Sequence, residues 1–398
     1  MAERKSKHIE NHDGKKIKLI NFISFLFGFA EALLLYVLSD YFRKAIGSDN
    51  VSVFYFTAYA VSLISILNLH KLINKFGRST VFFVFFFLQI CLISFLIFVQ
   101  PSVLGIVLLM LYIISTNLAW VALDIILESY SEDRRSGRIR GLHLMIVNIG
   151  ILLGPFFSTR LLSSFGFYGL FFAAMIMYMI IFVIALIGLR GINYKFEEKL
   201  TISDLAKKIL VNRSVMKIYF IAFTLDFFYA LMVVYTPLYL LNRGFSWDKI
   251  GVIFTIMLVP FVLLQYIVGR LADKRFGEKE MLIGGLIIMG VSAGSLFFVT
   301  SNAIWVWGGV LFMTRIGAAI IEILRDSYFY KKIDGRDVDI ISFFRTASPV
   351  GYILAMALSA LLLIIFPIKY VFLLVAIVVL SGLYPAFKLI DSKSEAEG

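Results

Sequence analysis

Long apolar runs alternate with short charged turns from one end of the chain to the other. Segments of lipid-spanning length with few charges fall near residues 19–39, 51–69, 79–100, 103–127, 141–160, 167–189, 218–241, 250–269, 281–299, 303–324, 340–366 and 369–387. A hydrocarbon core about 30 Å thick needs about 20 helical residues, and these runs have that length. The pattern therefore predicts an all-α membrane protein of twelve transmembrane helices, numbered as spans 1 to 12 in chain order.

The turns carry the orientation. If the N-terminus is cytoplasmic, 30 of the 38 Lys and Arg residues fall on the cytoplasmic side. Six fall on the other side, namely Arg43, Lys44, Arg160, Arg243, Lys249 and Lys369, while Arg315 and Arg345 lie inside spans. That bias holds at every turn and places both termini in the cytoplasm. The run after Leu19 is too long for a signal-peptide core and lacks a small-residue cleavage site, so it reads as span 1.

The chain also repeats itself. Asp124 to Tyr130 (DIILESY) reappears as Glu322 to Tyr328 (EILRDSY), an offset of 198, and Gly137-Arg138 and Gly335-Arg336 continue it. Lys75-Phe76-Gly77 matches Arg275-Phe276-Gly277 at an offset of 200, against a half-length of 199. Two six-span halves in the same orientation are the parallel-repeat layout of a secondary transporter with its site between the halves. The expected organisation is a cytoplasmic N-tail 1–18, a six-helix bundle 19–190, a cytoplasmic linker 191–217 with a short surface helix near 203–211, a second bundle 218–390, and a C-tail 391–398.

Composition narrows the function. Residues AVILMFWYC make up 60% of the chain and charged residues 16%, against roughly half and a quarter in soluble domains. The longest interior stretch outside lipid, Arg190 to Lys217, is too short for a fused catalytic or nucleotide-binding domain. The net charge of +12 is scattered over short loops and forms no continuous basic face, which argues against nucleic acid. No phosphate-binding loop is present, and four histidines assemble no nucleophile, base and acid, so neither enzyme activity nor a cofactor is expected. His8 and His12 sit in a basic tail and suggest no metal site. Cys91 reads as packing, the run Val81 to Phe87 as lipid-facing bulk, and the acceptor pattern Asn212-Arg213-Ser214 as unused on the cytoplasmic side.

The loop Gly269-Arg270-Leu271-Ala272-Asp273-Lys274-Arg275-Phe276-Gly277 resembles the signature loop of the major facilitator superfamily. The first-half copy keeps Gly77-Arg78 but has Ile73 or Asn74 where the aspartate belongs. The resemblance implies that Asp273 locks a closed state against a helix start, where the helix dipole favours a carboxylate. The start of span 5 near Arg138 and Arg140 is the partner that pseudo-symmetry suggests. Span 5 carries Gly141, eight residues, Gly150, three residues, then Gly154-Pro155, a spacing similar to that of the family's drug/proton antiporters, although Ser158-Thr159 replaces a closing glycine pair. Glycines four apart let another helix approach closely, and the proline frees a backbone bond so that the helix can bend.

Six ionisable residues fall within spans: Glu31, Asp124, Asp226, Arg315, Glu322 and Arg345. Each is a functional candidate, because exposure to hydrocarbon costs about 2.5 to 3.5 kcal/mol on insertion scales. Glu31, Asp226 and Arg315 lie near the midplane; Asp124 and Glu322 lie near the cytoplasmic mouth, with Glu128, Asp326 and Arg345, as gating candidates. On span 1 Asn21, Ser24, Gly28 and Glu31 form one polar or small stripe, expected to line water. On span 7 Tyr219, Ala222, Asp226 and Tyr229 share a face that could hold a cation. Arg315 matches a basic residue of the family's span 4, yet its first-half equivalent is Asn117. A carboxylate out of water binds a proton more readily and an arriving cation displaces it, so Glu31 or Asp226 could exchange a proton for substrate. The competing reading pairs Asp226 with Arg315.

These features predict a monomeric, proton-coupled exporter of small amphipathic or cationic molecules in the cell (inner) membrane, working by alternating access. A symporter for a sugar or other metabolite on the same fold, and a non-transporting sensor or scaffold, are the alternatives.

Overall fold

The computed structural model describes residues 2–128, 136–189, 213–272, 277–332 and 343–390, with side chains from 14 onward except those of 128, 136–141, 266, 270, 330 and 332. Span 1 is Ala2–Leu35, continued after a two-residue turn by Leu38–Ile46. Spans 2 to 4 are Ser52–Phe76, Arg78–Leu96 and Val103–Glu128. In the second half, spans 7 to 11 are Arg213–Asn242, Trp247–Leu271, Glu278–Ser295, Ile304–Lys332 and Ala347–Ile365, and span 12 is Tyr370–Ser381 with Leu383–Phe387.

Among the described residues, 11 helical runs are long and apolar enough to cross a membrane. One of them, Ser136–Gly188, holds two spans. As a straight helix its 53 residues would measure about 80 Å, far more than a hydrocarbon core, and Gly166 breaks it with φ 63° and ψ −162°. The turn between spans 5 and 6 lies there, which restores twelve. An even number of spans brings both ends of the chain to one face, called the termini side below; the opposite face is the far side.

Several helices run past their expected ends, span 2 as far as Phe76 and span 7 back to Arg213. The tail before Leu19 is helical from Ala2 onward, as its many Lys and Glu residues allow. Span 10 continues eight residues beyond 324, to Lys332. There the charged residues Glu322, Arg325 and Asp326 end the apolar signal but not the helix. The linker segment 190–212, with its expected surface helix, and the tail 391–398 lie outside the described residues.

The halves meet where span 5 packs on span 8 and span 2 on span 11. Adding six to the span numbers of either contact turns it into the other, as a pseudo-twofold axis between two bundles requires. Within each half a glycine seam closes the packing. A Cβ on Gly150 would overlap the Phe25 carbonyl oxygen and lie 3.0 Å from the Phe29 nitrogen; one on Gly154 would lie 2.7 Å from the Ala32 carbonyl carbon. Span 1 answers with Gly28, 3.0 Å by the same construction from the Val147 carbonyl oxygen. The stripe expected to line water is therefore a packing face: Asn21 and Ser24 are buried, and Asn21 Oδ1 lies 2.9 Å from His143 Nδ1 of span 5. Small polar residues serve close helix contact as well as hydration. In the second half the equivalent glycine is Gly351 of span 11, whose added Cβ would sit 2.9 Å from the Asp226 Cβ on span 7.

Two further glycines are explained by conformation. Gly77 and Gly277, 200 apart, have φ of 87° and 74° and begin spans 3 and 9, a backbone region that side chains disfavour. The Phe-rich run is only half lipid-facing. Phe82 and Phe86 are buried, and Phe86 packs on Phe27 and Tyr178, while Val84 and Phe87 face outward. Phe82 and Phe86 are one turn apart and share the inner face. Elsewhere Phe95, Phe98, Val103, Ile187, Trp305 and Ile364 are exposed, an apolar outer surface of the kind that lipid covers.

Candidate functional site

The far side is closed by contacts between the halves. Ser52 of span 2 lies 3.0 Å from the Ser359 hydroxyl of span 11 and also bonds to the Tyr235 hydroxyl of span 7. Beside them Asn50 Nδ2 donates to the Ala360 carbonyl at 3.1 Å. Arg43 donates to Asn242 at 2.9 Å, and Asn242 donates to Asp49 at 2.5 Å. Buried Asp40 orients Arg43 by an ion pair of 2.5 Å. At the other flank Ser163 donates to Asp248 at 2.9 Å, and Gly251 of span 8 nestles on span 5, where an added Cβ would stand 3.2 Å from the Pro155 carbonyl oxygen.

The termini side instead holds a cleft between the halves of about 210 Å³. Asp124, His143 and Leu144 line it from spans 4 and 5. Ala222, Asp226, Arg325, Asp326, Phe344, Arg345, Ala347 and Ser348 line it from spans 7, 10 and 11. Two ion-pair groups face this space. Arg325 Nη1 donates to Asp226 Oδ2 at 3.0 Å, while its Nε lies 3.3 Å from Asp326 Oδ1. Arg345 Nη1 meets Asp124 Oδ2 at 2.9 Å and so bridges the halves.

Deeper in, Glu322 accepts a hydrogen bond from Gln265 Nε2 of span 8 at 3.1 Å and a long one of 3.5 Å from the Tyr229 hydroxyl. Asp226, 6% exposed, thus belongs to a second-half cluster in which two carboxylates surround one arginine. The expected alternative pair Asp226–Arg315 does not form. Arg315 lies ten residues before Arg325, about 15 Å along the helix, and Arg325 is the cation that reaches Asp226. In the first half Glu31 Oε2 accepts from Trp120 Nε1 of span 4 at 2.6 Å, and Trp120 stacks on Phe27 with centroids 4.2 Å apart. A stacked pair, Tyr59 of span 2 on Tyr352 of span 11 at 4.2 Å, joins the halves within electrostatic reach of both Glu31 and Asp226.

The other sequence candidates disperse. Asn117 donates to Ser62 of span 2 at 3.1 Å. Tyr219 hydrogen-bonds Thr346 at 3.1 Å and stacks on Phe343, while Tyr229 reaches Glu322; both rings stay within electrostatic reach of Asp226. Gly150, Gly154 and Pro155 build the span 1 and span 8 contacts described above. Gly269 has ordinary space, 3.6 Å from an added Cβ to Ile323, and Gly277 serves the turn. Asp273 lies outside the described residues, as do the side chains of Arg138 and Glu128. Several site residues were not singled out in the sequence, among them Arg325, Trp120, Gln265, Tyr59 and Tyr352. Arg325 carried a signal, since it stands one helical turn beyond Glu322.

A twelve-span, two-bundle chain, closed on one face and cleft on the other, has the architecture of a membrane transporter. The sequence profile of the Major Facilitator Superfamily matches residues 20–334 and 249–397, and the chain belongs to that superfamily of transporters. No curated protein matches it. Among solved structures, one described as an auto-inhibited POT family peptide transporter superposes with a TM-score of 0.73, covering 95% of this chain and 98% of that one. At 10% identity the likeness shows a shared fold alone.

Proposed function

We propose that the protein is a proton-coupled exporter of small amphipathic molecules, working by alternating access as a monomer in the cell membrane with both termini in the cytoplasm. The observation that carries this reading is the Asp226–Arg325 pair, which opens on the termini-side cleft with Glu322 behind it. A proton arriving on Asp226 removes its charge and frees Arg325 to turn toward Asp326 or Glu322. The pairing therefore changes with each proton bound or released. The Arg345–Asp124 latch and the far-side bonds are contacts that would alternate as the halves rock.

Export rests on the likeness of the span 5 motif to that of drug/proton antiporters; its glycines and proline here build the contacts with spans 1 and 8. The acid excess that suggested cationic substrates is unchanged, since Arg325 and Asp326 both line the cleft and add one charge of each sign. A carboxylate that carries a proton neutralises itself, however, so this excess does not set the sign of the substrate's charge.

The test is transport of fluorescent amphipaths of positive, zero and negative charge into everted vesicles under an imposed pH gradient, acid inside. Wild type should accumulate at least one of them only while the gradient lasts. Asp226→Asn should lose that dependence and Glu31→Gln should reduce it. Accumulation by Asp226→Asn equal to wild type, or wild-type flux indifferent to the gradient, would refute proton coupling.

A further inference from the structure

Arginines inside the described chain are of two kinds. Arg325 and Arg345 each meet a carboxylate, at 3.0 and 2.9 Å, and Arg43 does the same on the far side. Arg315 does not. It is 1% exposed, stands about 16 Å along span 10 from Ile304, and forms no ion pair among the described residues. Its Nε and Nη1 are buried without a hydrogen-bond acceptor.

What surrounds Arg315 is aromatic. Its guanidinium carbon lies 4.8 Å from the centroid of Phe228 and 5.9 Å from that of Tyr229, both on span 7. Tyr36 of span 1 is its polar neighbour from the other half, and the Tyr36 ring packs on Phe254 of span 8 at 4.9 Å. Rings satisfy the face of a guanidinium. They leave two of its in-plane donors, on Nε and Nη1, without acceptors. A buried charge in that condition is costly unless a partner arrives. Glu322 is already engaged with Gln265 and Tyr229, and Glu31 with Trp120.

We propose that Arg315 receives a carboxylate of the transported molecule, so that the substrates are amphipathic organic monoanions whose apolar part lies among Phe228, Tyr229, Tyr36 and Phe254. A planar carboxylate matches the in-plane donor pair of a guanidinium. A single guanidinium, with Arg325 already shared by two carboxylates, offers one positive charge to a ligand, which argues for a carboxylate over a phosphate dianion. Because Tyr36 and the span 7 rings belong to different halves, a molecule bound there touches both. This assignment rests on the transport reading for its meaning, not for its test.

The experiment is thermal unfolding of the purified full-length protein in detergent with 3-phenylpropionate, 3-phenylpropanol, 3-phenylpropylamine and phenethyl phosphate. The carboxylate should raise the wild-type Tm, and the alcohol and amine should not. In Arg315→Gln its affinity should fall about 10- to 100-fold, as loss of hydrogen bonds to a charged group implies. Without any probe, Arg315→Met should unfold at or above the wild-type Tm, because the neighbour left behind, the Tyr36 hydroxyl, is neutral and no carboxylate loses its cation. The proposal is overturned by no shift with the carboxylate, an equal shift with amine or alcohol, a larger shift with the phosphate, an unchanged shift in Arg315→Gln, or a large drop in Tm of probe-free Arg315→Met. Carboxylate binding without gradient-driven flux would sink the transport reading and leave this site standing. Cation flux without carboxylate binding would do the reverse.

Discussion

Arg325→Met should be among the most damaging single substitutions in the second bundle, costing about 3 to 5 kcal/mol of stability, the usual effect of removing one partner from a buried ion pair. Asp226 would lose its cation at 3.0 Å, and Asp326 its neighbour at 3.3 Å. Adding Asp226→Asn to the same chain should recover much of that loss, because the stranded charge is gone, while gradient-driven transport stays absent. Thermal unfolding of the two single variants and the double variant in detergent measures the coupling directly. Equal and additive losses would mean that the pair carries no coupling energy.

Gly150→Leu should prevent the first bundle from assembling, and Gly150→Ala should already lower stability by about 1 to 3 kcal/mol, the cost of overfilling a packed core. The reason is local. The nearest neighbour of an added methyl is the Phe25 carbonyl oxygen, part of a helix backbone that cannot turn aside as a side chain could. Gly284 and Gly309 provide the control, since nothing lies within 4 Å of a Cβ built there. Alanine at those helical positions should be neutral or slightly stabilising. Unfolding temperatures of the three alanine variants decide the matter. A Gly150→Ala protein as stable as Gly284→Ala would show that spans 1 and 5 do not pack as described.

The fold was legible because lipid writes a coarse code: length and charge alone located the spans, and the offset near 199 exposed the repeat. The site was legible only in part. Asp226 and Glu322 stood out as acids in apolar runs. Arg325, which decides what Asp226 does, was counted with the loop because three charged residues in five ended the apolar signal while the helix went on. The stripe Asn21, Ser24, Gly28 was misread for a related reason. Small polar residues look alike whether they face water or another helix, and only the glycine seam of span 5 distinguishes the two. That Arg315 meets no carboxylate among the described residues is a fact about what its neighbours already hold, and a sequence does not record it.

Transport as proposed requires the two halves to separate at contacts that close the far side in this structure. The chain has a single cysteine, Cys91, so a Cys91→Ser background leaves only introduced thiols to react. Ser52→Cys/Ser359→Cys in that background joins spans 2 and 11 where the hydroxyls now stand 3.0 Å apart. Oxidation should cross-link the pair and stop gradient-driven transport, and reduction should restore it, while each single-cysteine protein stays active throughout. Undiminished transport by fully cross-linked protein would contradict that separation.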